Sequence, residues 1–188
     1  MHPRPVPTVP SPPTAVRPEL ADIFRSEFSY IWNTLARLGI RSADLEDVAH
    51  DVFCQVHLQI SAYDPARPLR PWLFGFAFRL ASDYRRRASN RLELSGIAIE
   101  RAANHPAADD QLISAEERWL IESALRSVPL ERRALLMLHE IDGESIPTIA
   151  AALDIPLNTA YSRLRLARAD LAAAVRKLEA RGRNHAPR

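Results

Sequence analysis

The chain has a single cysteine, Cys54, which excludes an internal disulfide and fits a reducing compartment. No apolar run approaches the ~18 residues of a membrane span, and the proline-rich start carries no signal-peptide core. A cytoplasmic protein is expected. There is no glycine-rich phosphate loop and no pair of carboxylates with a cleft to serve, so an enzyme reading finds no support and no cofactor is expected. Lysine is nearly missing: Lys177 is the one exception among 25 basic residues. Arginine suits bidentate contacts, but a bias this uniform follows equally from genomic base composition and carries no functional argument.

What is present is helical patterning and unevenly placed charge. The net charge over 188 residues is only +2. From residue 157 to the end, however, eight basic residues stand against two acidic ones, whereas 93–122 holds seven acidic and two basic. A basic end and an acidic middle fit phosphate binding or a charged protein partner, although a terminal basic run is often a soluble tail. A hydrophobic content of 47% is enough for a core in each of one or two domains.

The most informative stretch is 142–171, DGESIPTIAAALDIPLNTAYSRLRLARADL. Ile146, Ile149, Ala150 and Leu153 recur at helical spacing, and Ser145 before Pro147 suits a helix start. Pro156 breaks the pattern, and Asn158 is placed to cap a second helix. In that helix Ala160, Leu164, Ala167 and Leu171 form the packing side. Two helices across a turn of about 3–4 residues are the form that sets a second helix into a DNA major groove. Asn158, Thr159, Tyr161, Ser162 and Arg165 are the side chains placed to reach. The plainer reading is a helical hairpin with a solvated arginine face.

Upstream, residues 1–18 form a proline-rich tail that suits neither helix nor sheet. Leu20, Ile23, Phe24, Phe28, Ile31, Leu35 and Leu38 predict an amphipathic helix stopped by Gly39. A second helix is expected from a Ser42 cap, with Leu45, Val48, Val52, Phe53 and Val56 buried and Glu46, Asp47 and Asp51 on an acidic face. That face is either solvated or a docking surface for a basic partner. His50, Cys54 and His57 share one side at metal-ligand spacing, but no second cluster completes a site, and no metal is expected. Pro65, Pro68 and Pro71 then make a stiff loop bearing Arg67 and Arg70.

A third helix opens at Pro71, with Trp72, Leu73, Phe76, Ala77, Leu80 and Tyr84 on its apolar side. Arg79, Asp83, Arg86 and Arg87 collect opposite, and Asp83 is placed to brace Arg79 or Arg87. Aromatics interleaved with arginine suit unstacked bases and a phosphate backbone, but most of these aromatics lie on the packing side and read as core. Residues 92–111 read as an acidic linker, followed by a weak helix to Ser127. A further helix from Pro129, with Leu130, Ala134, Leu135 and Leu138 as its stripe, ends at Asp142-Gly143. The end from 180 reads as a basic tail.

DLEDVAHDVFCQVH, the Tyr63 loop and RPWLFGFAFRLASDYRRR together resemble region 2 of the extracytoplasmic-function (ECF) group of bacterial sigma factors. VPLERRALLMLHEIDGESIPTIAAALDIPLNTAYSRLRLARADL resembles their region 4. The resemblance implies an all-α chain of two small domains, 19–91 and 112–179, joined by a flexible linker without a region 3. It implies that Glu46, Asp47, His50 and Asp51 meet the clamp helices of core RNA polymerase. It further implies that Arg67, Arg70, Trp72, Arg79, Asp83, Arg86 and Arg87 serve the minus-10 element, where a flipped base is held. Asn158, Thr159, Tyr161, Ser162, Arg163, Arg165 and Arg168 would serve the minus-35 element, with region 4 also meeting the polymerase flap. The partners implied are core polymerase, promoter DNA and an anti-sigma factor.

The sequence departs from the family pattern at several points. His50-Asp51 stands for Gln-Glu, Thr148 for a common Glu, Asp154 for a turn glycine that a residue tolerant of the left-handed region can replace, and Asn158 for a glycine. Leu166 stands where many members carry a DNA-contacting arginine, a role Arg165 is placed to take over, so the usual minus-35 sequence is not expected. Two other classes fit parts of the chain. A sigma-like decoy that only captures an anti-sigma factor has no use for Arg79, Arg86, Arg163 and Arg165, and a simple helix-turn-helix regulator has no use for the N-terminal half.

Overall fold

The computed structural model describes residues 19–95 and 115–183, and within these it holds seven α-helices and no strand. The expected proline-rich tail, most of the expected acidic linker and the last five residues lie outside the described residues. The first helix, α1 (Leu20–Leu38), buries Ile23, Ile31, Leu35 and Leu38. It stops where Gly39 adopts φ +99°, a left-handed conformation that lets its N–H reach the carbonyls of Leu35 and Ala36 at 3.1 Å.

Ser42 does not cap the next helix through its side chain. It begins a 3₁₀ turn, Ser42–Asp44, after which α2 (Leu45–Gln59) buries Leu45, Val48, Ala49, Val52, Phe53 and Val56. A second 3₁₀ turn, Ile60–Ala62, leads to the proline loop. From there α3 (Leu69–Ser95) runs for 27 residues. It starts two residues ahead of Pro71, which sits in the first turn, where a missing N–H has no intrahelical partner to lose. It also continues through 92–95, which the sequence assigns to the linker.

In the second half, α4 spans Ala115–Ser127 and α5 spans Leu130–Leu136, the latter passing into one π turn, Met137–Ile141. The helices α6 (Ile146–Ala152) and α7 (Leu157–Arg183) complete the chain. Helices α1, α2 and α3 pack against one another, and α4, α5 and α6 pack along α7. The two groups also meet, with α6 on α3 and α1 against α4 and α5, so that one hydrophobic core runs through both.

Two residues mark that junction. An ideal Cβ built on Gly75, in mid-α3, would lie 2.8 Å from the carbonyl oxygen of Ala152 at the end of α6. Glycine inside a helix costs about 0.5–1 kcal/mol relative to alanine, and here it permits a backbone-to-backbone approach that any side chain would obstruct. Arg133 of α5 is fully buried. Its guanidinium donates to the carbonyls of Val128 and Arg126 at the end of α4 and, 3.0 Å away, to that of Arg37 near the end of α1. Burial first, then the charges of Arg85 and Arg126, push its pKa down to about 10, which leaves it a cation at neutral pH. Carbonyl groups at helix C-termini carry partial negative charge and suit such a partner.

Candidate functional site

The chemistry-bearing side chains fall on three surfaces. On α2, Glu46, Asp47, His50 and Asp51 are exposed, and no described cation lies within ion-pair reach of the three carboxylates. Glu46 and Asp47 sit in the first turn, where negative charge is favourable against the helix dipole. Asp51, a turn further along, has no such reason to be there. Cys54 and His57 are exposed on the same helix. Among the described residues no group of three or more His, Cys, Asp or Glu side chains converges as a metal site.

The second surface is the loop before α3. Tyr63 is buried, donates its hydroxyl to the Arg67 carbonyl at 2.7 Å, and packs its ring 4.7 Å from Trp72. Trp72 in turn meets Phe76 edge-on at 4.9 Å. Burial raises the Tyr63 pKa, so the phenol stays a donor. The carboxylate of Asp64 accepts from the Ala66 N–H at 3.0 Å, the Asx turn that suits a Pro-containing loop. These residues enclose an open cavity of ≈ 300 Å³ lined by Ala62, Tyr63, Asp64, Arg67 and Trp72, at the small end of ligand pockets. Its lining holds two aromatic rings and one charge of each sign. Arg67 and Trp72 are the expected residues that meet here. Tyr63 and Asp64 join them, signalled in the sequence only by the turn chemistry of Tyr-Asp-Pro.

The other residues expected beside them are placed elsewhere. Arg70 turns toward α1, donating to Glu27 at 2.9 Å and lying over the Tyr30 ring at 4.9 Å. Arg79 stacks on Phe76 at 4.6 Å, and burial lowers its pKa. Asp83 pairs with Arg86 at 2.9 Å rather than with Arg79 or Arg87. Arg86 and Arg87 stay exposed along α3.

The third surface is the helix-turn-helix. Ser145 caps α6, its hydroxyl accepting from the Thr148 N–H at 3.3 Å. The helix ends in a Schellman arrangement: Ile155 N–H reaches the Ala150 carbonyl at 3.0 Å, and Asp154 takes φ +52°. The tolerance expected of Asp154 in a glycine position is thus used. Asn158 does not cap α7. The helix begins one residue earlier, at Leu157, with the Ala160 N–H bonded to the Pro156 carbonyl at 3.1 Å. Ala160, Leu164 and Ala167 are buried as expected. Asn158, Tyr161, Ser162 and Arg165 are exposed, and Thr159 and Arg163 are half-buried. Arg168 is tied to Glu140 of the π turn at 2.7 Å. Leu157, which the sequence reading passed over, is exposed at the head of the helix.

The family description Sigma-70 region 2 matches residues 23–91, and Sigma-70, region 4 matches residues 118–171. The chain is 30% identical over 146 residues to the RNA polymerase sigma factor CnrH of Cupriavidus metallidurans, covering 72% of this chain and 75% of that one. It is also 30% identical over 147 residues to the ECF RNA polymerase sigma factor SigL of Mycobacterium tuberculosis, covering 77% and 82%. Among solved structures, CnrH in complex with the cytosolic domain of CnrY aligns with a TM-score of 0.58 at 26% identity, over 84% of this chain and 88% of that one. The sigma factor RpoE in complex with the anti-sigma factor NepR from Bartonella quintana aligns at 0.70 and 20% identity, over 83% and 96%, and attests the fold.

Two helical groups carrying regions 2 and 4 in that order define a bacterial RNA polymerase sigma factor. Within that class, the chain belongs to the ECF sigma factors. It directs promoter-specific transcription, and its helix-turn-helix is a DNA-binding element. Among the described residues no helix is long and apolar enough to cross a membrane.

Proposed function

We propose that the three surfaces divide initiation among them. The exposed carboxylates Asp47 and Asp51, with Glu46 and His50 beside them, dock on the clamp helices of core polymerase. The cavity between the 62–67 loop and Trp72 takes a base flipped out of the non-template strand at the minus-10 element, and Arg86 and Arg87 follow the backbone along α3. Asn158, Tyr161, Ser162 and Arg165 read base edges at the minus-35 element, while Thr159, Arg163 and Arg168 position the helix against phosphates. Region 4 completes the complex on the polymerase flap.

The observation that carries this reading is the cavity itself. A flipped base needs a π-face and a small number of polar groups at its edge, and Trp72 with Asp64 and Arg67 supplies both. The protein acts by directing polymerase, with no reaction of its own, and works in the cytoplasm where polymerase is. Two solved relatives are held by partner proteins, NepR and CnrY, which supports an anti-sigma partner for this chain as well.

The test is run-off transcription with purified core polymerase over a genomic fragment library from the source organism, with and without the protein. Discrete new starts that depend on the protein and disappear with Trp72→Ala or Asp47→Arg are the expected result. Starts that persist unchanged with both variants would overturn the assignment of these surfaces.

A further inference from the structure

The head of α7 carries two large apolar side chains in the open. Leu157 is 44% exposed and Tyr161 55%, and they are the exposed large hydrophobics of this helix among the described residues. Leu153 and Ile155, just ahead of them, pack against the core, whereas Leu157 and Tyr161 do not. At a spacing of four they are neighbours on the helix surface, about 5–6 Å apart at Cβ, and Arg165 takes the next step of the same row. No described group bonds the Tyr161 hydroxyl.

Single apolar residues on a surface need no explanation. This pair stands in the first turns of the second helix of a helix-turn-helix, the part that meets base edges in a major groove. The polar groups beside it are few. Ser162 donates its hydroxyl to the Thr159 carbonyl of its own helix at 3.0 Å, so toward DNA it is an acceptor, and Thr159 is half-buried. A base pair presents one methyl group in the major groove, that of thymine, and this is the apolar partner that a leucine and a tyrosine ring suit. Four residues of helix rise about 6 Å, so the two side chains reach methyl groups on neighbouring or next-but-one base pairs at ~3.4 Å per pair.

We propose that Leu157 and Tyr161 select thymine in the minus-35 element by packing on its C5-methyl group. The proposal rests on the reading of the first turns of α7 as the minus-35 surface, and adds to it a residue, Leu157, and a base identity. Each methyl group buried in this way is worth about fourfold in affinity. A Leu–Tyr pair at this spacing also steadies a helix end by itself, a role that is blind to the base opposite.

For the test, holoenzyme assembled from core polymerase and the full-length protein selects minus-35 sequences from duplexes randomised over that element, upstream of a minus-10 element mapped by run-off transcription. Each thymine enriched by the selection is then replaced singly by deoxyuridine, which removes the methyl group and keeps every base-pairing group. Competition binding is measured for holoenzyme carrying the parent chain, Leu157→Ala or Tyr161→Ala, and thermal unfolding of the three proteins is followed alongside. The expected result for the parent is thymine enriched at one or more positions and a loss of about fourfold at deoxyuridine. Each variant loses the difference between thymine and deoxyuridine at one such position.

A selected element with no thymine, or a parent that binds deoxyuridine as tightly as thymine, would overturn the methyl contact. So would variants that keep the parent's discrimination, and if these also melt earlier, the pair serves the helix alone. Arg165→Ala separates this outcome from failure of the underlying reading. A changed selected sequence with Arg165→Ala, while deoxyuridine stays neutral, overturns the methyl contact and leaves α7 as the minus-35 reader. An unchanged selected sequence with Arg165→Ala, Leu157→Ala and Tyr161→Ala removes α7 from minus-35 reading, and the methyl contact with it.

Discussion

Arg133 and Arg37, 96 residues apart, are joined by a hydrogen bond of 3.0 Å from a buried guanidinium to a main-chain carbonyl. The same side chain holds two carbonyls at the end of α4, so one residue closes the C-termini of two helices. Arg133→Ala leaves these carbonyls without their donor and opens a cavity, and is expected to cost about 3 kcal/mol. Arg133→Lys recovers little of this, because an ammonium lacks the planar fork. Urea denaturation of the three proteins measures both; a loss below about 0.5 kcal/mol for the alanine variant would contradict the clamp.

The pH dependence of stability carries a signature of Asp142. Burial raises its pKa above the ordinary 3.8, against the opposing effects of the Tyr30 hydrogen bond and of Arg37 and Arg70. Glu144 is also raised, by burial and then by Asp142. A carboxyl with a raised folded pKa binds its proton more tightly in the folded state, so its contribution to stability falls as pH climbs above the unfolded value. Asp142→Asn is expected to flatten the stability profile just above the ordinary carboxylate range. Chemical denaturation at several pH values would show this, and an unchanged slope would remove Asp142 as the cause.

Reversing the acidic face of α2 separates docking from folding. Asp47 and Asp51 are exposed and unpaired among the described residues, so Asp47→Arg with Asp51→Arg keeps the fold, at a cost of about 0.3–1 kcal/mol from the reversed charge at the start of α2. Binding to core polymerase is expected to weaken by about 2–5 kcal/mol, the scale of charge reversal in a complementary interface. Affinity measured by biolayer interferometry against purified core polymerase decides it, and undiminished binding would remove the face from the interface.

On the recognition helix, two arginines three residues apart should behave differently. Arg165 is exposed, and Arg165→Ala is expected to cost about 1–3 kcal/mol and to relax promoter choice at one base position. Arg168 is already paired with Glu140, so Arg168→Ala weakens binding across sequences alike and costs about 0.2–1 kcal/mol of stability from the half-exposed pair. Competition binding over a set of single-base promoter variants distinguishes a base contact from a phosphate contact in each case.

The sequence made the helices and the helix-turn-helix legible because those features are local. The stripe Ala160, Leu164 and Ala167 is buried at its expected spacing, Ser145 caps where its spacing to Pro147 suggests, and Asp154 takes the left-handed turn. Two helix starts were displaced: a 3₁₀ turn begins at Ser42, and the first helical bond of α7 runs to the Pro156 carbonyl, ahead of Asn158. Arg70 and Arg168 read as free cations because their partners, Glu27 and Glu140, are 43 and 28 residues away. The Tyr30–Asp142 bond spans 112 residues, and no periodicity encodes it. Gly75 reads in sequence as a weak point in a helix, and only the position of Ala152 shows why it is there.

Helix α7 runs on well past its first turns, packed against α4 and α5 and pinned to α5 near its middle by the Arg132–Asp170 pair at 2.6 Å. A rod about 40 Å long acts as a lever. A tilt of about 5° about Asp170 carries its first turn, roughly 20 Å away, about 1.7 Å sideways, enough to break a hydrogen bond made there. The direction in which the exposed Asn158 and Arg165 point is therefore set from about three turns and one and a half turns away, by the Arg132–Asp170 pair.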